Sequence, residues 1–182
     1  MCGVLAAGVA AAAEPPPAGL GVPAVWKRQT LEFHYFGRTS RYSCDGLRDK
    51  MRALLLEMGV RNDLRIRTSG CEIGRISLAG LNPGLSIEFS APVPRDAADT
   101  GAADKPFEAR YTAFDFHQDA FRNLNIGDCE LVEEFARQVL PRLSARDLKQ
   151  DITCVPYQSG AGTYRVSGVV LKAVPAADAA RR

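Results

Sequence analysis

The sequence is poor in the residues and motifs that most often carry catalysis. It has two histidines, His34 and His117, and one tryptophan. It contains no Gly-x-Ser-x-Gly, Ser-x-x-Lys, Gly-x-x-x-x-Gly-Lys, His-Glu-x-x-His or Cys-x-x-Cys pattern. These absences disfavour the hydrolase, phosphate-binding, zinc and thioredoxin-type redox sites that such motifs build. We therefore expect no cofactor and favour a binding protein over an enzyme.

The sequence also has little net charge and no long apolar run. Its 23 basic and 21 acidic residues give a formal net charge of +2, whereas general nucleic-acid binding normally comes with a strong basic excess. The apolar stretch over residues 2–13 is shorter than the roughly 20 residues that span a bilayer. We expect neither nucleic-acid binding nor a transmembrane segment.

The first residues have the character of an export signal. The apolar run ends in three alanines before Glu14 and three prolines, and small residues there suit signal peptidase. We predict a signal peptide over residues 1–13, with cleavage after Ala13. No Lys or Arg precedes the run, although signal peptides usually have a basic start. Either the true start lies upstream of Met1, or the run is an ordinary flexible tail.

The rest of the chain is long enough for one domain of ordinary size. Residues 14–25 are rich in Pro, Gly and Ala and predict a linker. Residues 26–174 then form one globular domain, and residues 175–182 a disordered tail. Within the domain we distinguish two pseudo-repeats, residues 26–92 and 107–174.

Each pseudo-repeat is predicted to contain a strand, a helix and two further strands. Residues 45–58 place apolar side chains at the spacing of one helical face, and residues 128–140 do the same, with Asp128 as the expected N-cap and Pro141 as the stop. The expected strands cover residues 31–36, 64–71, 85–89, 107–116, 148–154 and 163–174.

In each pseudo-repeat one cysteine lies at the start of the helix and another at the end of the following strand. A helix that descends and a strand that returns bring Cys44 beside Cys71, and Cys129 beside Cys154. Cys2 would be removed with the predicted signal peptide, and the remaining four cysteines allow three pairings. This geometry favours the pairing within each repeat. Two disulfides indicate folding outside the cytosol, in the periplasm or the extracellular space.

The predicted fold class is α+β. We expect an antiparallel-rich sheet built from two strand–helix–strand–strand units, with both helices on one face and two disulfides. The alternative is that the similarity of the two halves arose by chance, since alternating strands and helices are common.

Arginines provide the clearest candidate binding groups. Arg38 and Arg41 precede a helix N-terminus, where free backbone N–H groups and the helix dipole favour an anion. Arg65 and Arg67 alternate onto one face of the next strand, and His34 is expected on the same open face of the sheet. We assign Arg38, Arg41, Arg65, Arg67 and His34 as the candidate ligand-binding residues, against the alternative of ordinary solvated charge.

The two histidines leave two further hypotheses open. With Asp115 they could bind a metal ion, or either could act as the general base of a small hydrolase. The simplest alternative is that each is a strand residue with local hydrogen bonds. We therefore expect an exported, non-enzymatic module that binds a protein or an anionic small ligand. A small periplasmic hydrolase and a periplasmic metal-binding protein are the alternatives.

Overall fold

The computed structural model describes residues 21–70, 83–98, 105–118, 123–158 and 160–175. Within these ranges lie six strands and two α-helices, with short 3₁₀ turns at Arg95–Ala97, Ile126–Asp128 and Leu140–Arg142. In chain order the main elements are β1 (Val22–His34), α1 (Cys44–Glu57), β2 (Arg65–Ser69), β3 (Gly84–Pro94), β4 (Phe107–His117), α2 (Cys129–Gln138), β5 (Ala145–Thr153) and β6 (Thr163–Ala173).

The strands form one antiparallel sheet in the order β2-β3-β1-β4-β6-β5. Reading inward from either edge gives the same arrangement, because β2-β3-β1 in the first half corresponds to β5-β6-β4 in the second. The two halves join where Val22–Ala24 of β1 pairs with Phe107–Ala109 of β4. The predicted α+β class with an antiparallel sheet and two helices is therefore confirmed.

Both helices bury an apolar stripe in one shared core. In α1 the stripe includes Leu47, Met51 and Leu54, which are fully buried, and in α2 it includes Leu131 and Phe135. These side chains belong to the same cluster as alternate residues of the strands. Fully burying such a side chain stabilises the fold by about 1.5–3 kcal/mol, so this cluster is the main source of stability.

The first helix begins and ends one residue before the predicted range of residues 45–58. Ser43 is the N-cap, and its Oγ accepts a hydrogen bond from the backbone N–H of Gly46 at 3.1 Å. Gly59 follows the helix with a φ of +82°, the left-handed conformation that glycine adopts without steric cost.

The start of α2 differs from its prediction. Asp128, expected to cap the helix through its side chain, makes no such bond. It lies instead in a 3₁₀ turn that Asn125 caps, and its Oδ2 accepts from the backbone N–H of Asn125 at 2.7 Å. Asp128 does occupy the N-cap position, since α2 begins at Cys129, but its carboxylate accepts hydrogen bonds from Asn125, Lys50 and Tyr42.

Strand β1 begins earlier than the sequence indicated. The predicted linker over residues 14–25 is wrong in its last residues, since β1 already starts at Val22. Ala24 and Val25 are buried, and the ring of Trp26 stacks on Phe107 at 4.8 Å between centroids. Pro23 made this stretch resemble a linker, but proline is tolerated near the start of a strand.

The cysteine pairing of the second half is confirmed. Cys129 and Cys154 form a disulfide with their Cα atoms 5.7 Å apart. Cys44 is disulfide-bonded as well, but Cys71, its predicted partner, lies outside the described residues. The predicted signal peptide over residues 1–13 and residues 176–182 of the predicted tail also lie outside them.

None of the helices in the described ranges is long and apolar enough to cross a membrane.

Candidate functional site

The sheet turns one set of alternate side chains away from the core. On the first half this set includes Glu32 and His34 of β1 and Arg65 and Arg67 of β2, and all four are exposed. Ser86 of the neighbouring β3 donates a hydrogen bond to Glu32 at 2.7 Å. The predicted residues Arg65, Arg67 and His34 therefore do lie on solvent-facing positions of the strands.

A cavity of about 160 Å³ opens beside these arginines. It is lined by Arg28, Arg61, Asp63, Arg65, Glu88, Phe89 and Ser90. We call it the arginine cavity. Sequence reasoning missed Arg28 and Arg61, because Arg28 precedes the predicted first strand and Arg61 follows the helix in a turn. The only signal was the local excess of arginine.

Two of the arginines in the cavity are already paired with carboxylates. Arg28 contacts Glu88 at 2.9 Å and Arg61 contacts Asp63 at 2.6 Å. In the described part of the chain the side chain of Arg65 makes no hydrogen bond or ion pair. The cavity thus offers an unpartnered guanidinium beside two that are held in place.

Neighbouring arginines lower the pKa of Glu88. The hydrogen bond from Arg28 lowers the pKa of the Glu88 carboxyl below its usual range, and the nearby charges of Arg67 and Arg65 lower it further. Arg67 is exposed and, like Arg65, has no hydrogen-bond or ion-pair partner among the described residues. Even with Glu88 ionised, this part of the sheet therefore favours a negative charge.

The single tryptophan lies beside the arginine cavity. The guanidinium carbon of Arg61 lies 5.5 Å from the centre of the Trp26 ring, within the range of a cation–π contact. Trp26 is half-buried. A change in the position of Arg61 will therefore alter the surroundings of the only indole in the protein.

The loop that carries Arg38 and Arg41 is occupied differently from our expectation. Its backbone does bind an anion, but that anion is the carboxylate of Glu130 from α2. The Glu130 oxygens accept from the backbone N–H of Thr39 at 2.8 Å and from its hydroxyl at 3.1 Å. The Arg38 and Arg41 side chains are exposed, and within the described ranges neither has a hydrogen-bond or ion-pair partner.

Two opposing effects, burial and hydrogen bonding, act on the pKa of Glu130. Burial raises the pKa of its carboxyl, but the backbone N–H groups of Thr39, Arg38 and Ser40 and the Thr39 hydroxyl lower it by more. The net pKa lies below the ordinary value. The loop therefore stabilises the ionised form of the chain's own carboxylate, and its backbone donors are not free for an external ligand.

A second buried carboxylate joins the two halves of the molecule nearby. Asp128, whose side chain is 2 % exposed, forms an ion pair with Lys50 at 2.8 Å and accepts a hydrogen bond from the Tyr42 hydroxyl. Burial first, and then Asp128, raise the pKa of Tyr42 far above its ordinary value. A proton held this firmly does not serve acid–base chemistry near neutral pH, so we interpret the cluster as structural.

The two histidines are placed at the far ends of their strands. β1 and β4 pair only through Val22–Ala24 and Phe107–Ala109 and run in opposite directions from there, so His34 and His117 diverge. Asp115, the expected third ligand, is held by Arg165 at 2.6 Å. Within the described ranges no three His, Cys, Asp or Glu side chains lie close enough together to hold a metal ion.

The backbone of His34 has a specific partner. Its N–H donates to Oε1 of Gln138 at 3.0 Å, and its carbonyl accepts from Nε2 of the same side chain at 2.7 Å. Gln138 thus pairs with the edge of β1 as a neighbouring strand would. Both bonds use the backbone of His34 and not its imidazole.

Comparison of the chain with protein families, curated proteins and solved structures found no match.

Proposed function

We propose that this protein is an exported, non-enzymatic binding module that holds an anionic group in the arginine cavity. The group would belong to a small ligand or to a protein partner. The observation that carries this proposal is the guanidinium of Arg65, which has no partner among the described residues and lines a cavity of about 160 Å³ beside the paired Arg28 and Arg61.

The chemistry of the cavity suits a carboxylate, sulfate or phosphate. Guanidinium groups bind such anions through two parallel N–H bonds, and these bonds are stronger than those between neutral groups. Asp63 and Glu88 hold Arg61 and Arg28 in position, which reduces the entropy that a ligand must remove.

The covalent framework supports the export part of the proposal. The Cys129–Cys154 disulfide and the disulfide-bonded state of Cys44 fit an oxidising compartment such as the periplasm or the extracellular space. We propose Cys71 as the partner of Cys44. The matching strand order of the two halves also supports an origin by duplication.

Trp26 provides the reporter for a direct test. Citrate, a compact tricarboxylate, is titrated into the full-length protein while the fluorescence of the single tryptophan is recorded at constant ionic strength. We expect a saturable change, because an anion drawn to Arg65 shifts the neighbouring Arg61 over the indole. Charge-assisted bonds contribute about 1.5–3 kcal/mol each, so Arg65→Gln with Arg67→Gln should weaken citrate binding at least tenfold.

The chain supplies a control with the same change in charge. Arg38→Gln with Arg41→Gln also removes two exposed arginines, but from the loop whose backbone binds Glu130. This control variant should bind citrate as the parent does. A titration without saturation, or an equal loss of binding in both double variants, would contradict the proposed site.

A further inference from the structure

A group of exposed apolar side chains lies on loops next to the N-terminal ends of the two helices, and none of its members lines the arginine cavity. Three of the five large apolar side chains that are exposed in the described part of the chain belong to neighbouring loops: Phe36 (50 %), Ile126 (48 %) and Tyr157 (75 %). The other two, Leu56 and Leu148, lie elsewhere on α1 and β5. Scattered exposed hydrophobic residues are normal, but a group on neighbouring loops indicates an interaction site.

Direct contacts bring these loops together. The Thr39 hydroxyl accepts from the backbone N–H of Tyr157 at 3.0 Å, and Ser40 donates a hydrogen bond to the carbonyl of Gly127, next to Ile126. Ile126 in turn lies beside Gly160 of the loop that carries Tyr157. Phe36 precedes Thr39 on the same segment, and the centre of its ring lies 5.9 Å from the guanidinium carbon of Arg137 in α2.

Two exposed arginines lie on the same loop. Arg38 and Arg41 are exposed, and their side chains make no hydrogen bond or ion pair with any described residue. The nearby carboxylates of Glu130 and Asp128 point inward and are buried. At the start of α1 the exposed Asp45 is paired with Arg48 at 2.8 Å. We call the surface formed by Phe36, Arg38, Arg41, Ile126 and Tyr157 the loop-end surface.

The shape of the loop-end surface distinguishes between possible partners. Protein interfaces anchor on aromatic or arginine side chains that enter fitted pockets. A cleft beneath these loops, beside Thr39 and the Cys129–Cys154 disulfide, encloses about 10 Å³. This cleft is too small to receive a side chain, whereas Phe36, Ile126 and Tyr157 are themselves exposed.

We propose that the loop-end surface attaches the protein peripherally to an anionic membrane surface. Tyr157 and Phe36 would enter the interfacial layer, where aromatic rings are favoured, and Ile126 would add apolar area. Arg38 and Arg41 would pair with lipid phosphates. The site is independent of the arginine cavity, and the proposal does not rest on the function assigned to that cavity.

The test is co-sedimentation of the full-length protein with vesicles at low ionic strength. One set of vesicles contains phosphatidylcholine alone, and the other contains equal parts of phosphatidylcholine and phosphatidylglycerol. We expect binding to the anionic vesicles only, with a loss as salt is added. Arg38→Gln with Arg41→Gln should weaken binding on the order of ten- to thirtyfold, because each basic residue near an anionic surface strengthens binding roughly fivefold.

Tyr157→Asn tests the apolar contribution without endangering the fold. Tyr157 has a φ of +65°, a conformation that asparagine tolerates better than an aromatic residue. This variant should lose most of its vesicle binding while its unfolding transition stays the same or rises. Leu148→Asn, at an exposed position on β5, and Arg65→Gln with Arg67→Gln are the matched controls and should bind as the parent does.

Three results would overturn the proposal. The first is failure of the parent to bind anionic vesicles, and the second is equal binding to neutral vesicles. The third is retention of binding by the Arg38 and Arg41 variant together with loss in the Arg65 and Arg67 variant. The citrate titration tests the arginine cavity independently. A negative result with vesicles therefore does not contradict anion binding in that cavity.

Discussion

The backbone N–H of Thr39 donates a hydrogen bond to the carboxylate of Glu130 at 2.8 Å, and this contact ties the first half of the chain to the second. Tyr35 belongs to the same contact, since its hydroxyl lies 2.8 Å from the carbonyl of Ser40 and 3.4 Å from Glu130. The loop between β1 and α1 is thus ordered by a residue of α2. The loop that we expected to bind an external anion instead connects the two halves of the molecule.

The first prediction concerns how the stability contributed by the contact between Thr39 and Glu130 depends on pH. The pKa of Glu130 is lowered from its ordinary value of 4.5 in the folded protein. Its carboxylate therefore contributes stability that is complete above that value and is lost as the pH falls through the lowered pKa. Glu130→Gln should cost about 1–3 kcal/mol at neutral pH, because an amide cannot accept from all the N–H groups of the loop.

Urea unfolding at neutral and acidic pH measures this effect. The difference between the parent and the Glu130→Gln variant should shrink as the medium becomes acidic. Glu133→Gln is the control, since Glu133 lies on the exposed side of the same helix and undergoes the same change in charge. A difference that is independent of pH would contradict the assignment.

The second prediction concerns the buried ion pair. Lys50→Met should destabilise the protein by about 3–5 kcal/mol, because it leaves the charge of the buried Asp128 without its cation. Tyr42→Phe removes a hydrogen bond to the same carboxylate and should cost about 1–3 kcal/mol. Both values are obtained from denaturant unfolding with a common slope.

Two further variants make the test of the ion pair specific. Arg48→Met removes an exposed cation of the same helix, which is paired with the exposed Asp45, and should change stability by less than about 1 kcal/mol. Adding Asp128→Asn to Lys50→Met should recover part of the loss. If Lys50→Met and Arg48→Met are equally stable, the buried charge of Asp128 does not require Lys50 as its partner.

The third prediction concerns the edge of β1 that Gln138 covers. Gln138→Leu should expose the backbone N–H and carbonyl of His34, with both of which Gln138 forms hydrogen bonds. We expect faster hydrogen exchange at the amide of His34 and a loss of about 1–3 kcal/mol. Gln29→Leu, which removes a single bond to the carbonyl of Arg142, should leave the exchange at His34 unchanged.

The helices and most strands could be predicted because their signals are local. The apolar spacing from Leu47 to Leu55 placed α1 to within one residue at each end. The alternation of the strands likewise predicted that Arg65 and Arg67 face away from the core. These features depend on neighbours within a few positions of the sequence.

The remaining features depend on contacts between distant residues. The sequence around Thr39 does not indicate a contact with Glu130, which follows 91 positions later. The loop was therefore interpreted as an open anion site. Arg28 and Arg61 meet Arg65 only after β1, β3 and the turn beyond α1 have assembled. Likewise, the early start of β1 is stabilised by Phe107 packing on Trp26.

The last prediction concerns the cysteines. Replacing Cys129 and Cys154 together with alanine should cost about 3–4 kcal/mol for a loop of this length, if the disulfide acts mainly on the unfolded chain. Cys44→Ala should release one additional reactive thiol under denaturing, non-reducing conditions. Peptide mapping should locate that thiol at Cys71, because we propose Cys71 as the partner of Cys44. A new thiol at any other cysteine would refute this pairing, while the Cys129–Cys154 disulfide would stand, since its loop and the Cys44 segment are separate parts of the chain.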